Sequence, residues 1–194
     1  AGHPAGLYRG VHLRYLPPVR HKYAETILHT FFSSLDLMRR PHDVALYCNG
    51  ANAIFTPLAR MAGMPVALNV DGLERMRKKW NAFARAWYWC SEILSTFCPS
   101  EIVTDAARIR DYYHQRYGAD STFIPYGAPL GKLETSAVLD RLGLERGRYF
   151  LYVTRFEPEN NPLMVRRAFE RLDTDLRLAL IGDAPYAADY IAQV

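Results

Sequence analysis

The segment RFEPENNP at residues 155–162 carries the side chains of this sequence that are best suited to chemistry. It follows an apolar run at 149–154, which predicts a buried strand, and it precedes a helical pattern at 162–172. Arg155 would then lie at the carboxyl end of a strand, where open α/β sheets bind their ligands. The helix start favours phosphate, and a planar guanidinium suits a diphosphate better than a lysine would. The pattern predicts a phosphate-binding site at Arg155.

A second polar cluster follows the apolar run at 66–70. Asp71 would end a buried strand, where a carboxylate could bind a hydroxyl or act as a base, or could cap the helix predicted to begin at residue 74. Four basic residues would occupy the first turns of that helix: Arg75, Arg77, Lys78 and Lys79. The helix dipole disfavours cations there by ~0.3–1 kcal/mol each. A docked anion, such as a phosphate-bearing acceptor or a lipid headgroup, would explain them, and a solvated polar face is the alternative.

Two further groups of residues have both a functional and a structural interpretation. Asn49, Gly50 and Asn52 follow the apolar run at 44–48 at the same sheet edge as Asp71. They could line an acceptor pocket, or they could be ordinary turn and cap residues. Glu92 lies on the predicted long helix, where we expect it to pair with a basic neighbour rather than to do chemistry.

The elements that must position these residues alternate between short β-rich runs and helical patterns. The predicted strands are 11–16, 44–48, 66–70, 101–104, 122–124, 149–154 and 176–181. The predicted helices are 23–39, 51–62, 74–97, 106–117, 136–142 and 162–172. Continuous apolar runs such as 44–48 are typical of strands buried on both faces, and the alternation predicts parallel sheets built from βαβ units. On the helix at 74–97, apolar residues spaced by three or four predict a stripe that faces the core. The stripe comprises Met76, Trp80, Phe83, Trp87, Cys90, Leu94 and Phe97.

The linker-like segment 125–131, PYGAPLG, divides this series into two α/β domains. We predict a first domain at 1–124, a hinge at 125–131 and the beginning of a second domain at 132–194. The second group has few strands, and a sheet that small would leave its edge and one face bare. We therefore expect both domains to be incomplete in this sequence.

The bulk composition sets the remaining limits. The chain has 194 residues, of which 49% are hydrophobic, and a net charge of +4. It has no apolar run long enough to span a bilayer, and its three cysteines have no metal-type spacing. These properties predict a cytoplasmic protein. The basic helix start lacks exposed aromatic interleaving, so we do not expect nucleic acid as a partner.

Four strings occur in order along the chain: NVDGLERMRKKW (69–80), IVTDAARIRDYY (102–113), FIPYGA (123–128) and RFEPENNP (155–162). Together they resemble the retaining GT-B glycosyltransferases of family 4, in particular the bacterial rhamnosyltransferase-like branch. The resemblance covers residues 10–194. It implies two Rossmann-like domains that face a cleft, the first for the acceptor and the second for a nucleotide-sugar donor.

The resemblance also implies roles for individual residues. Arg155 matches the arginine that holds the donor diphosphate, so it and Asp71 are the expected catalytic residues. Asn161 stands where the widespread pattern has a lysine, and Asp71 stands where many relatives have a histidine. The expected donor-binding residues are Arg155, Asn160, Asn161 and Gly182, the last in a loop that needs close backbone approach. The expected acceptor-binding residues are Asn49, Asn52, Arg75 and Lys78. A glutamate pair that grips the donor would lie beyond Val194.

The implied reaction moves a sugar, with rhamnose as the common theme of the branch, from a nucleoside diphosphate to an acceptor hydroxyl with retained configuration. No metal or other cofactor is expected, because basic side chains and a helix dipole stabilise the leaving diphosphate. Asp173-Thr174-Asp175 resembles a metal-binding DxD, but its predicted place at the wrong end of a parallel strand favours a turn. The expected partners are the donor and a glycan or lipid-linked acceptor, with peripheral contact to the inner membrane face. A non-catalytic nucleotide-sugar-binding or assembly subunit on the same scaffold is the alternative.

Overall fold

A computed structural model of the chain describes residues 6–16, 25–40, 42–76, 80–131, 136–184 and 188–194. The chain divides into two compact units, Ala1–Ala128 and Pro129–Val194. The boundary falls inside the segment 125–131 that the sequence marks as a linker. The predicted α/β class with parallel sheets is confirmed.

The described part of the first unit contains a hairpin, a four-stranded sheet and four α-helices. Its strands are β1 (Leu7–Tyr8), β2 (Val11–His12), β3 (Ala45–Cys48), β4 (Val66–Val70), β5 (Glu101–Thr104) and β6 (Thr122–Phe123). Its helices are α1 (Glu25–Met38), α2 (Thr56–Met61), α3 (Ala82–Leu94) and α4 (Ala107–Tyr117). Two 3-10 segments, Gly50–Phe55 and Glu74–Met76, follow β3 and β4.

The four-stranded sheet is parallel, with the order β3-β4-β5-β6. All four carboxyl ends therefore lie at one edge of the sheet, where polar side chains follow the strands. Burial alternates along β3: Ala45 and Tyr47 are buried, whereas Leu46 is 65% exposed. The prediction that the run 44–48 is buried on both faces is therefore wrong, because only the face carrying Ala45 and Tyr47 joins the core cluster.

The predicted strand at 11–16 has a different partner from the one expected. Val11–His12 pairs antiparallel with Leu7–Tyr8 in a separate hairpin, and not with the parallel sheet. Arg9 and Gly10 join the two strands with φ values of 49° and 83°. Two consecutive positive φ angles define the tight turn that matches the twist of a two-residue hairpin.

The predicted helix at 74–97 is interrupted. Residues Glu74–Met76 form a 3-10 turn, and α3 begins only at Ala82, where the side chain of Asn81 accepts a hydrogen bond of 2.9 Å from the amide of Ala84. Asparagine at such a position satisfies a helix end and favours a boundary over a continuous helix.

Of the predicted stripe, Leu94 packs against the core cluster, but the most buried residues of α3 lie at other positions. Ser91, Glu92 and Ser95 are buried, whereas Phe83 is 76% exposed and Phe97 is also exposed. The hydroxyl of Ser91 donates to the carbonyl oxygen of Ala51 in the 3-10 segment after β3. Small polar side chains allow α3 to approach that backbone closely, so the apolar stripe does not decide which face packs.

The second unit contains α5 (Ala137–Leu142), β7 (Tyr149–Val153), α6 (Pro162–Phe169), β8 (Arg177–Ile181) and α7 (Ala188–Ile191). β7 and β8 pair in parallel, with Tyr149 opposite Arg177 and Val153 opposite Ile181. Pro162 occupies the start of α6, as its missing N–H favours. None of the described helices combines the length and the apolarity that a membrane crossing requires.

Candidate functional site

The carboxyl end of β4 leads directly into a tight turn. Val70 is fully buried, and Asp71 after it is exposed at the sheet edge. Gly72 has a φ of +148°, which favours glycine, and the 3-10 turn Glu74–Met76 follows. Asp71 therefore lies at the sheet edge where this class of fold binds ligands. It does not cap α3, whose first turn is capped by Asn81 instead.

Arg75 is anchored by two neighbours from different helices. Its Nε donates to Oε2 of Glu92 on α3 over 2.8 Å, and its Nη2 donates to the hydroxyl of Tyr112 on α4 over 2.6 Å. For Arg75 the expected dipole conflict does not arise, because this residue lies in a 3-10 turn that precedes α3. Arg77, Lys78 and Lys79, which complete the basic cluster, lie outside the described residues.

Glu92 is the centre of this arrangement and is only 5% exposed. Its Oε1 accepts hydrogen bonds from the hydroxyls of Tyr112, at 2.5 Å, and Tyr117, at 2.6 Å. A buried carboxylate requires such compensation, since an uncompensated buried charge is strongly destabilising. The expectation that Glu92 pairs with a basic neighbour is confirmed by the 2.8 Å ion pair with Arg75.

Two tyrosines near Glu92, Tyr113 and Tyr117, have raised pKa values. Burial, followed by the hydrogen bond to Glu92, raises the pKa of Tyr117 to about 12. Burial also raises the pKa of Tyr113, whose hydroxyl accepts from Ser95. Both phenols therefore stay neutral at physiological pH, which allows Tyr117 to donate its hydrogen bond to the Glu92 carboxylate.

A narrow crevice of about 10 Å³ opens at this sheet edge, which is room for roughly one water molecule. Its lining residues are Asn49, Gly50, Ala51, Gly72, Glu74, Arg75, Tyr88, Glu92 and Tyr113. The structure thus brings together Asn49 and Arg75, two of the predicted acceptor residues. Asn52 and Asp71 are not among the lining residues.

Asn49 and Asn52 both have local structural roles after β3. Asn49 has a φ of 74°, and its Oδ1 accepts from the amide of Ala51 over 2.9 Å, which caps the 3-10 segment. The Nδ2 of Asn52 donates to the carbonyl oxygen of Cys48 over 2.8 Å. Asn52 is 7% exposed, and its buried Oδ1 has no hydrogen-bond partner among the described residues. The turn interpretation of Asn49 is therefore directly observed.

Asn69 is a polar residue of this edge that the sequence reasoning missed. Its Nδ2 donates to the hydroxyl of Tyr126 over 2.9 Å, and its buried Oδ1 lacks a partner within the described part of the chain. The signal for it was available, since Asn69 interrupts the otherwise apolar strand VALNV. A polar residue inside such a run is informative because burial of an amide is costly.

In the second unit, Arg155 follows the carboxyl end of β7. The amide of Thr154 donates to the carbonyl oxygen of Ile181 over 2.9 Å, and the amide of Phe156 donates to that of Asp183 over 3.2 Å. These bonds fix the backbone on both sides of Arg155. The Arg155 side chain is exposed and has no hydrogen-bond or ion-pair partner in the described ranges. A guanidinium in this state is available to an incoming anion.

The loop from Arg155 to α6 is held by its own polar groups. The Nδ2 of Asn160 donates to the carbonyl oxygen of Arg155 over 2.9 Å, and the hydroxyl of Tyr152 donates to the carbonyl oxygen of Asn160. Asn161 has a φ of 57° and makes no side-chain cap to α6; its Nδ2 donates to the carbonyl oxygen of Glu159 instead. The side chain of Asn161 therefore stabilises the loop and not the start of α6.

Gly182 meets a close approach, but the approaching group is the protein itself. A Cβ atom at this position would overlap the carbonyl oxygen of Thr154 and lie 2.9 Å from the ring of Phe156. Glycine is thus required so that the ends of β7 and β8 can converge beside Arg155.

The segment Asp173-Thr174-Asp175 connects α6 to β8, as the turn interpretation expected. Asp175 pairs with Arg148, which immediately precedes β7, so it lies at the amino ends of the two strands. Arg155 lies at their carboxyl ends. Within the described ranges, no cluster of three or more His, Cys, Asp or Glu side chains could hold a metal ion.

The comparisons with known proteins point to one domain family. Residues 50–129 match the model of a family described as a domain of unknown function, DUF1972. That domain is found in glycosyltransferase-like proteins, which connects the chain with glycan chemistry. No curated protein is significantly similar to the chain.

Proposed function

We propose that this chain is part of a glycosyltransferase of the GT-B type that moves a sugar from a nucleoside diphosphate to an acceptor hydroxyl with retained configuration. The observation that carries the proposal is the exposed guanidinium of Arg155, which lacks a protein partner among the described residues and follows a parallel strand. The DUF1972 match to residues 50–129 supports a transferase of this general kind independently.

The donor diphosphate would bind at Arg155. As the bond between sugar and phosphate breaks, negative charge builds up on the leaving diphosphate, and a preorganised cation stabilises that charge. Asn160 would act through the backbone of Arg155, and Asn161 would offer an amide without a charge. In this proposal Arg155 carries more of the electrostatic stabilisation than it would beside a lysine. Basic side chains and the start of α6 would replace a metal ion at the diphosphate.

The acceptor would bind at the edge of the first sheet. Asp71 is exposed there, and it would hold or deprotonate the attacking hydroxyl. Asn49 and Arg75 line the neighbouring crevice and would contact the acceptor glycan. Lys78 and the adjacent basic residues of the sequence would attract a phosphate-bearing or lipid-linked acceptor at the cytoplasmic face of a membrane. Rhamnose is the sugar that the sequence resemblance favours.

The direct test compares Arg155→Ala with Arg167→Ala in the full-length protein. Arg167 is an exposed arginine on α6 of the same unit, so this control removes an equal charge away from the proposed diphosphate site. Transfer from a panel of labelled nucleotide sugars should fall by about 10²–10³-fold in Arg155→Ala and stay near wild type in Arg167→Ala. Near-normal transfer in Arg155→Ala would count against the proposal.

The same panel separates transfer from mere binding. Wild-type protein should be thermally stabilised by the matching nucleoside diphosphate, and this stabilisation should be lost in Arg155→Ala. Stabilisation without any transfer or donor hydrolysis would favour a nucleotide-sugar-binding subunit instead.

A further inference from the structure

The turn after β4, residues 71–76, carries two residues that the proposed reaction would use, and it is tied to the body of the first unit through Arg75. We propose that Glu92 and Tyr112 are positioning residues, which hold this turn and the Arg75 guanidinium in the geometry that acceptor binding requires. The inference rests on the proposed function and extends it to residues that touch neither substrate.

Two protein partners fix the orientation of the Arg75 guanidinium. Two of its nitrogens are engaged by protein: Nε with Glu92 at 2.8 Å and Nη2 with Tyr112 at 2.6 Å. Its third nitrogen, Nη1, has no hydrogen bond among the described residues, and the side chain lines the crevice beside Asn49. An arginine held by two of its donors presents the remaining ones in a fixed direction, because the guanidinium is planar.

Glu92 and Tyr112 hold Arg75 rigidly. Glu92 lies on α3 and Tyr112 on α4, so Arg75 is held from two helices at once. Tyr112 accepts from Arg75 and donates to Oε1 of Glu92 over 2.5 Å, which closes a ring of three hydrogen-bonded side chains. Glu92 is 5% exposed, so this ring forms where water competes poorly.

Tyr112 and Tyr117 both bind Glu92 but differ in their contact with Arg75, which makes the proposal testable. Tyr112 and Tyr117 both donate to the same oxygen, Oε1 of Glu92, at 2.5 and 2.6 Å. Only the Tyr112 hydroxyl also accepts a hydrogen bond from Arg75. The hydroxyl of Tyr117 instead accepts one from Arg116 on its own helix, at 3.2 Å. Removing either hydroxyl thus costs Glu92 one hydrogen bond, but only the loss of the Tyr112 hydroxyl also removes one of the two contacts that hold Arg75.

The experiment compares Tyr112→Phe with the matched control Tyr117→Phe in the full-length protein. Hydrogen exchange of peptides covering residues 71–76 reports the order of the turn and needs no activity. Acceptor KM, measured at saturating donor, reports acceptor binding, and donor hydrolysis without acceptor reports the donor site. We expect at least about tenfold faster exchange at 71–76 and an acceptor KM raised about tenfold in Tyr112→Phe only. Donor hydrolysis should stay within about twofold of wild type in both variants.

Equal exchange of residues 71–76 in the two variants would overturn the positioning role, whether or not the protein transfers sugar. Faster exchange in Tyr112→Phe with an unchanged acceptor KM would overturn its link to acceptor binding. If wild-type protein neither hydrolyses donor nor transfers sugar, the proposed function fails, and the exchange measurement alone then decides whether Tyr112 orders the turn. The conservative variant Arg75→Lys should reproduce the Tyr112→Phe effect on KM, since the single nitrogen of lysine cannot hold both partners and still present a free donor in a fixed direction.

Discussion

The side-chain amide of Asn160 donates a 2.9 Å hydrogen bond to the carbonyl oxygen of Arg155, across the loop that joins β7 to α6. Asn160 thereby holds the backbone of the proposed diphosphate-binding residue from the helix side. The backbone hydrogen bonds donated by the amides of Thr154 and Phe156 hold it from the sheet side. The position of Arg155 thus depends on a residue that is itself a candidate for donor binding.

We therefore predict that Asn160→Ala weakens binding of the nucleoside diphosphate about fivefold, because a lost hydrogen bond of this kind is worth roughly 1 kcal/mol. Isothermal titration measures the change in Kd. Gln193→Ala is the matched control, since it also removes a side-chain hydrogen bond to a backbone carbonyl oxygen, but the lost contact of 3.1 Å is to Asp189 rather than Arg155. Equal Kd values for wild type and Asn160→Ala would show that the hydrogen bond from Asn160 does not position Arg155 for binding.

Gly182→Ala should destabilise the second unit by about 3 kcal/mol, at the upper end for overpacking, because the new methyl group meets the backbone of Thr154 as well as the Phe156 ring. Gly131→Ala provides the control, since a Cβ atom there meets nothing within 4 Å. Chemical denaturation followed by far-UV circular dichroism measures both. A Gly182→Ala variant as stable as Gly131→Ala would show that the ends of β7 and β8 can move apart to admit the methyl group at little cost.

Asn49 offers a test of backbone conformation. Asn49→Ala loses the hydrogen bond to Ala51 and must also adopt a φ of 74°, so it should cost about 1–2 kcal/mol. Asn49→Gly keeps the conformation at little strain and should cost less than Asn49→Ala. Thermal unfolding of the two variants gives the order. A larger cost for the glycine variant would mean that chain entropy outweighs strain at this position.

The stability of the first unit should fall at high pH. The pKa of Tyr117 is raised from 10.0 to about 12 by burial and by its bond to Glu92. A group with a raised folded-state pKa contributes stability that is complete below its unfolded pKa and is lost as pH rises through the folded pKa. The free energy of unfolding should therefore decrease between about pH 10 and pH 12. This slope should be shallower in Tyr117→Phe, and an unchanged slope would assign it to other groups.

Several elements of the fold were predictable because their signal is local. The run 66–70 coincides with β4, and Gly118 ends α4 in the left-handed conformation that favours glycine. The placement of Asp71 and Arg155 after strands also followed from sequence alone. In each case a short apolar run and one adjoining residue were sufficient.

The features that escaped prediction depend on tertiary partners. The apolar spacing of α3 indicated a core stripe, but the buried Ser91 of this helix contacts the backbone of the segment after β3. No pattern within one helix reports that its neighbour is the backbone of another segment, against which small side chains fit best. The contact of Arg75 with Tyr112 joins residues distant in sequence, so spacing could not reveal it.

The backbone hydrogen bonds on either side of Arg155 affect the free energy with which an anion can bind there. Since the main chain is already ordered, such an anion would have to immobilise one rotamer-rich side chain, which costs about 0.5–1.5 kcal/mol, and not a whole loop. Most of the favourable interaction free energy would then remain available for affinity and for selecting among competing phosphates.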